Sequence, residues 1–156
     1  MIQVRLPDGA IKEVSQGTTP LDIATSISEG LGRNVLSASY NGEVIEVTTP
    51  LQLDGSLILY TWNDLEGKKA FWHSTAHVLA QVLEDHYPGI KLTIGPAIEQ
   101  GFYYDIDPNS NTITENDFDD IEKRMIEVSR EQHAFSMRSV SKKEALAYYQ
   151  NEKNPF

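Results

Sequence analysis

The rhythm of hydrophobic and polar residues changes at Asn63. Before it the period is mostly two, the alternation that a half-buried strand needs. Ile2-Gln3-Val4-Arg5-Leu6 alternates, Pro7-Asp8-Gly9 is a turn signal, and Ile11 to Val14 resumes the alternation, which predicts a hairpin. Leu21, Ile23, Ala24, Ile27 and Leu31 then give one helix an apolar face. Thr19 suits its N-cap, Pro20 its first position and Asp22 the positive end of its dipole, with Gly30 or Gly32 as the stop. Extended segments around 35–40 and 44–47 flank the hairpin dipeptide Asn41-Gly42, and the nearly all-apolar stretch 56–60 predicts a buried last strand. The order ββαβββ, with the helix crossing one face of a small mixed sheet, is a β-grasp arrangement.

From Asn63 onward the period becomes helical. Asn63 with Glu66 reads as a capping box, Gly67 as a weak first turn, and a firm helix is expected from Lys69 to the Pro88-Gly89 stop. Advancing by about 100° per residue puts Phe71, Trp72, Ala76, Val78, Leu79, Val82, Leu83 and Tyr87 on one broad arc. His73 and His77 stand outside that arc, about 40° apart, with Glu84 projecting between them and Ala80 at the border. One face is thus buried and the other holds out two imidazoles and a carboxylate.

A strand is expected from Lys91 to Ile94, then a break at Gly95-Pro96. A strand within 97–107 would place Phe102, Tyr104 and Ile106 on one face, Tyr103 and Asp105 on the other. After the turn Pro108-Asn109-Ser110-Asn111, Thr114 or Asn116 caps a helix through His133 with Phe118, Ile121, Met125 and Val128 inward. A strand near 135–140 and a helix from the Ser141/Glu144 capping box to Gln150 follow, and 151–156 reads like a strand about to begin. The expected class is α+β in two parts, residues 1–62 and 63–156.

Composition narrows the possibilities. A chain of 156 residues holds one ordinary domain or two small ones. There is no apolar run of membrane-spanning length and no basic-apolar leader, so a cytoplasmic location without membrane association is expected. Cysteine is absent, which excludes disulfides and cysteine-ligated metal. The net charge is −10, with −4 on residues 1–62 and −6 on the remainder. Neither part is a basic footprint able to grip phosphates unaided, so any nucleic acid would be held mainly by other segments or a partner.

Candidate chemistry concentrates on the histidine-bearing helix. Imidazoles at i and i+4 can point at a common ion, but the metalloprotease pattern needs a glutamate directly after the first histidine, where this chain has Ser74. Alternatively one imidazole orients or deprotonates a water, being the side chain that titrates near neutral pH. The bland reading is two partly exposed histidines making routine hydrogen bonds, and the spacing alone favours it. His86 falls on the apolar arc and is expected to be packed, and His133 to interact with a helix dipole. The β-grasp part carries no histidine and no glycine-rich phosphate loop, so it reads as a binding or spacing module.

Two dense stretches together shift these odds. His73-Ser74-Thr75-Ala76-His77, followed by Ile94-Gly95-Pro96-Ala97-Ile98-Glu99-Gln100-Gly101-Phe102-Tyr103-Tyr104-Asp105, resembles the editing domain of threonyl-tRNA synthetases. Leu6-Pro7-Asp8-Gly9 and Asn41-Gly42-Glu43 resemble the TGS domain that opens bacterial members of that family. Alanyl-tRNA synthetases share an H-x-x-x-H editing helix but lack the TGS module. The resemblance implies a parent that activates threonine with ATP, joins it to tRNA in a domain using magnesium and zinc, acts as a homodimer, and hydrolyses mischarged seryl-tRNA. By matching position it implies that His73, His77 and Tyr104 line the editing pocket. His73 would position or activate the hydrolytic water, and His77 would hold the substrate or the terminal ribose. It also implies that the pocket is completed by later residues (a histidine, a cysteine, an aspartate and a lysine), so that this chain is an N-terminal fragment. Such a fragment is expected to bind no cofactor or metal of its own and to be inactive alone. Its partners would be tRNA and the remainder of the synthetase.

Two other classes compete. One is a standalone TGS-type RNA-binding or regulatory module, and the other a metal-dependent hydrolase built on His73 and His77.

Overall fold

The structure, a computed structural model, describes residues 1–133 and 138–151. It divides into two compact units, Met1–Trp72 and His73–Phe156. The change of hydrophobic rhythm at Asn63 lies earlier, because one continuous helix contributes its first turns to the first unit and the rest to the second.

The first unit is a five-stranded mixed sheet. Strands β1 (Ile2–Arg5) and β2 (Ile11–Val14) form the expected antiparallel hairpin, in the register Ile2 opposite Val14 to Arg5 opposite Ile11. Strands β3 (Ser37–Tyr40) and β4 (Glu43–Ile45) form the second, around Asn41-Gly42, whose φ values of 53° and 87° are those a type I′ turn demands. Strand β5 (Gly55–Tyr60) lies between the hairpins, parallel to β1 and antiparallel to β3, giving the order β2-β1-β5-β3-β4. This is the β-grasp arrangement, and with the helices the chain is α+β overall.

Period-two alternation sends Ile2, Val4, Ala38 and Leu57 to one face, where they meet Ile23 and Leu51. Ile23 comes from helix α1 (Pro20–Ile27), which has the expected Thr19 N-cap and Pro20 in its first position, and Asp22 completes a reciprocal capping box with Thr19. Full burial of each such aliphatic side chain contributes about 1.5–3 kcal/mol.

The helix ends differently from expectation. Ser28 adopts an extended conformation, closes α1 and caps a second helix, α2 (Glu29–Asn34), through the Leu31 N–H. Gly30 and Gly32 lie inside α2 instead of stopping α1. A side chain able to cap the next helix has outweighed the continuing apolar spacing.

Helix α3 spans Leu65–His86. Its entry is not the expected Asn63/Glu66 box. The Asp64 carboxylate accepts from the Thr61 N–H and hydroxyl, while the Asp64 carbonyl accepts from Lys68 N–H. Nor does Gly67 weaken the start: it is buried, and a Cβ there would lie 2.1 Å from the Thr61 carbonyl oxygen. The glycine permits close contact between the helix and the end of the sheet.

In the second unit Val82 and Leu83 of α3 pack with Ile90 and with Ile121 and Val128 of α4 (Phe118–Arg130). Met125 borders this core, but Phe118, the first residue of α4, is 52% exposed. The helix stops at Arg130, short of His133, which instead pairs with Glu131 at 2.7 Å. His86, the last residue of α3, is exposed rather than packed.

The strand expected across 97–107 is broken into three. Strands β7 (Ala97–Ile98) and β8 (Gly101–Phe102) make a short hairpin, and β9 (Ile106–Asp107) pairs with β6 (Lys91–Leu92). Alternation nevertheless persists, with Phe102, Tyr104 and Ile106 more buried than Tyr103 and Asp105. Helix α5 (Lys142–Asn151) begins with the expected Ser141–Glu144 box. The strand expected near 135–140 and the terminal stretch 151–156 fall largely outside the described residues.

Candidate functional site

The buried stripe of α3 fixes which way its other face points. Ala76, Ala80, Val82 and Leu83 are buried, and His73 and His77, off that stripe, are exposed. Four residues of helix bring the two rings together: their centroids are 4.6 Å apart at 79°, and their Nε2 atoms 3.2 Å apart. At that distance one Nε2–H donates to the other ring's lone pair, so the neutral pair holds complementary tautomers and a second proton is resisted. Partial burial lowers the His77 pKa from its ordinary 6.5, and the neighbouring His73 lowers it further. His77 therefore offers a neutral nitrogen at neutral pH.

Tyr104 approaches α3 through a glycine. A Cβ on Gly95 would fall 2.4 Å from the Tyr104 ring and 3.1 Å from the Ala76 Cβ. The phenol ring, Gly95 and Ala76 are thus layered, and Ala76 lies on the helix immediately before His77. The β6–β9 ladder continues through this region by Thr93 N–H to Asp105 O and Asp105 N–H to Ile94 O, which holds Tyr104 beside Gly95. Burial raises the Tyr104 phenol above its ordinary 10.0, and the charges of Glu84 and Tyr149 add to the rise. Tyr104 stays a neutral hydroxyl that can donate or accept.

The structure brings the His73 and His77 rings into contact, places Tyr104 against Gly95 near Ala76 of the same helix, and adds residues that periodicity alone does not assign a role. Gly95 reads in sequence only as a strand break; its function as the slot for an aromatic ring is a tertiary contact. Tyr149 lies in α5, and no spacing links it to Tyr104.

Two imidazole nitrogens at this separation could occupy two corners of a tetrahedral ion. Among the described residues, however, no group of three or more His, Cys, Asp or Glu side chains comes together to hold a metal. No described helix is long and apolar enough to cross a membrane.

Residues 2–61 match the TGS domain family. Over all 156 residues the chain is 58% identical to the threonine–tRNA ligase of Flavobacterium psychrophilum, covering 24% of that protein. Over 151 residues, 97% of the chain, it is 60% identical to that of Flavobacterium johnsoniae, covering 23% of it. It is 48% identical across its whole length to that of Cytophaga hutchinsonii, again 24% of the relative. The chain spans about a quarter of the length of the curated relatives it matches.

Proposed function

We propose that residues 63–156 supply part of a pocket that hydrolyses seryl-tRNA; the chain belongs to the threonine–tRNA ligase family, whose N-terminal region it matches with its TGS domain in place. The parent enzyme in this reading attaches threonine to tRNA using ATP, as a cytoplasmic homodimer. In the same reading magnesium and zinc serve that aminoacylation.

The need for hydrolysis follows from the substrates. Serine lacks one methyl group of threonine, and a difference of that size is worth only about 1–3 kcal/mol in a binding pocket. A second site that accepts the smaller side chain and hydrolyses its ester removes the error.

The observation that carries the reading is the imidazole pair, with Tyr104 seated against Gly95 near Ala76 of the same helix. His73 takes a proton from the attacking water as its oxygen adds to the ester carbonyl. Collapse of the tetrahedral intermediate breaks the bond to the ribose oxygen, which takes up a proton, releasing serine and free tRNA. His77, kept neutral by burial and by its neighbour, hydrogen-bonds the substrate or the terminal ribose. Tyr104 forms the wall that sizes the pocket for serine.

Seryl-tRNA deacylation by the chain joined to the rest of its synthetase tests this. His73→Ala is expected to lower the rate constant by about a hundredfold or more, the usual scale of a lost general base, with His77→Ala acting mainly on KM. The isolated chain is expected to stay near the uncatalysed rate. Unchanged deacylation in both histidine variants overturns the assignment, and rapid hydrolysis by the isolated chain overturns the claim that other segments complete the pocket. The TGS unit has its own core, which supports a second reading as an RNA-binding or regulatory module. Binding of structured RNA by the chain with no effect of the histidines on hydrolysis favours that reading.

A further inference from the structure

A cavity of about 300 Å³ opens at the C-terminal end of α3. Its lining includes Glu84 from α3, Lys91 and Leu92 from β6, and Tyr148 and Tyr149 from α5. The volume is at the lower end of small-ligand sites.

The chemistry of the lining is specific. Tyr148 and Tyr149 stand edge to face, ring centroids 5.3 Å apart at 86°, and are 61% and 51% exposed. Helix α5 has no buried residue, so these rings face the cavity and solvent rather than serving as core. Lys91 and Glu84 border the same space, yet among the described residues neither side chain appears in a hydrogen bond or an ion pair. A cation, a carboxylate and two aromatic rings in one cavity, with no ion pair between the two charges among the described residues, match the parts of a nucleotide.

We propose that this cavity is a nucleotide subsite, with a base stacked on Tyr148 or Tyr149, a phosphate facing Lys91, and Glu84 accepting from a ribose hydroxyl or an exocyclic amine. The inference rests on the proofreading reading and extends it. Glu84 lies on the imidazole-bearing face, about 10 Å along the helix from His77, and its charge reaches Tyr104. An unpaired RNA end whose last ribose sits at the imidazoles would lay a neighbouring nucleotide here. Stacking on tyrosine tolerates any base, which suits a site that orients an end without reading sequence.

The nucleotide could come from single-stranded RNA or from a free mononucleotide. Fluorescence anisotropy with the full 156-residue chain distinguishes them, using a labelled single-stranded CCA trinucleotide with AMP and free serine as competitors. Tyr148→Ala or Tyr149→Ala is expected to weaken trinucleotide binding about tenfold, within the range for a lost base stack, and Tyr→Phe at the same position to restore it. Lys91→Ala is expected to reduce the slope of log K against log salt by about 0.7. Displacement by AMP at stoichiometric competition supports a mononucleotide source, and binding that AMP fails to displace supports the RNA end. Displacement by serine, or binding indifferent to both tyrosines and Lys91, overturns the subsite. If deacylation depends on His73 while the tyrosine variants bind normally, the subsite fails and the proofreading reading stands. Tyrosine-dependent binding with deacylation indifferent to His73 has the opposite meaning.

Discussion

His77 titrates under two influences of the same sign, partial burial and the neighbouring His73. Because its pKa is lower in the folded chain than the ordinary 6.5, the unfolded chain binds that proton more readily. The stability contributed by neutral His77 is therefore complete above pH 6.5 and is lost as the pH falls from there through the folded value. Titration followed by the His77 ring proton in NMR should have its midpoint below 6.5. In His73→Ala the midpoint should move up but stay below 6.5, since burial is the larger cause. A midpoint at or above 6.5 in the parent chain would remove the physical basis for a neutral substrate-binding imidazole at His77. The spacing of the two histidines was legible in the sequence, and so was their position off the apolar arc. That their Nε2 atoms meet was not, since it depends on rotamers the surrounding packing selects.

Helix α3 shows how two signals at one residue can conflict. Glycine inside a helix costs about 1 kcal/mol relative to alanine, so propensity alone makes Gly67→Ala stabilising. The Thr61 carbonyl where the new Cβ would go is backbone and cannot swing aside. Overpacking of this kind costs about 1–3 kcal/mol, and with the hydrogen-bonded Thr61–Asp64 entry also disturbed the clash prevails. Gly67→Ala is expected to lower the midpoint of thermal unfolding of the first unit, and a rise would show that the helix start can shift. The same reasoning explains why residues 97–107 do not form one strand. Their alternation was read correctly from Phe102 to Ile106, but alternation specifies which face a side chain takes and is silent on the partner. Gly101, at φ 119°, lets the chain fold back into the β7–β8 hairpin, after which β9 pairs with β6 instead.

For the whole molecule, charge sets the expectation. The net charge of −10 is shared by both parts of the chain, with no basic stripe on either. Long-range electrostatics therefore oppose approach to a polyanion, and only local groups such as Lys91 offer a favourable contact. Filter binding with tRNA should show weak association at low salt that disappears near physiological ionic strength, while the chain extended by the rest of its synthetase retains it. Tight, salt-resistant binding by this chain would mean that recognition runs through contacts other than phosphates.

Sequence by itself determined the β-grasp order, the Thr19 and Ser141 caps, the inward face of α3 and the exposure of its two imidazoles. Each follows from a period or a cap that acts within a few residues of chain. Tertiary structure alone decided that Gly95 admits the Tyr104 ring against Ala76, that Gly67 meets the Thr61 carbonyl, and that α5 brings two tyrosines to Glu84 and Lys91. Those contacts join residues far apart in the chain, and they depend on the shape of the space between elements, which a one-dimensional pattern does not encode.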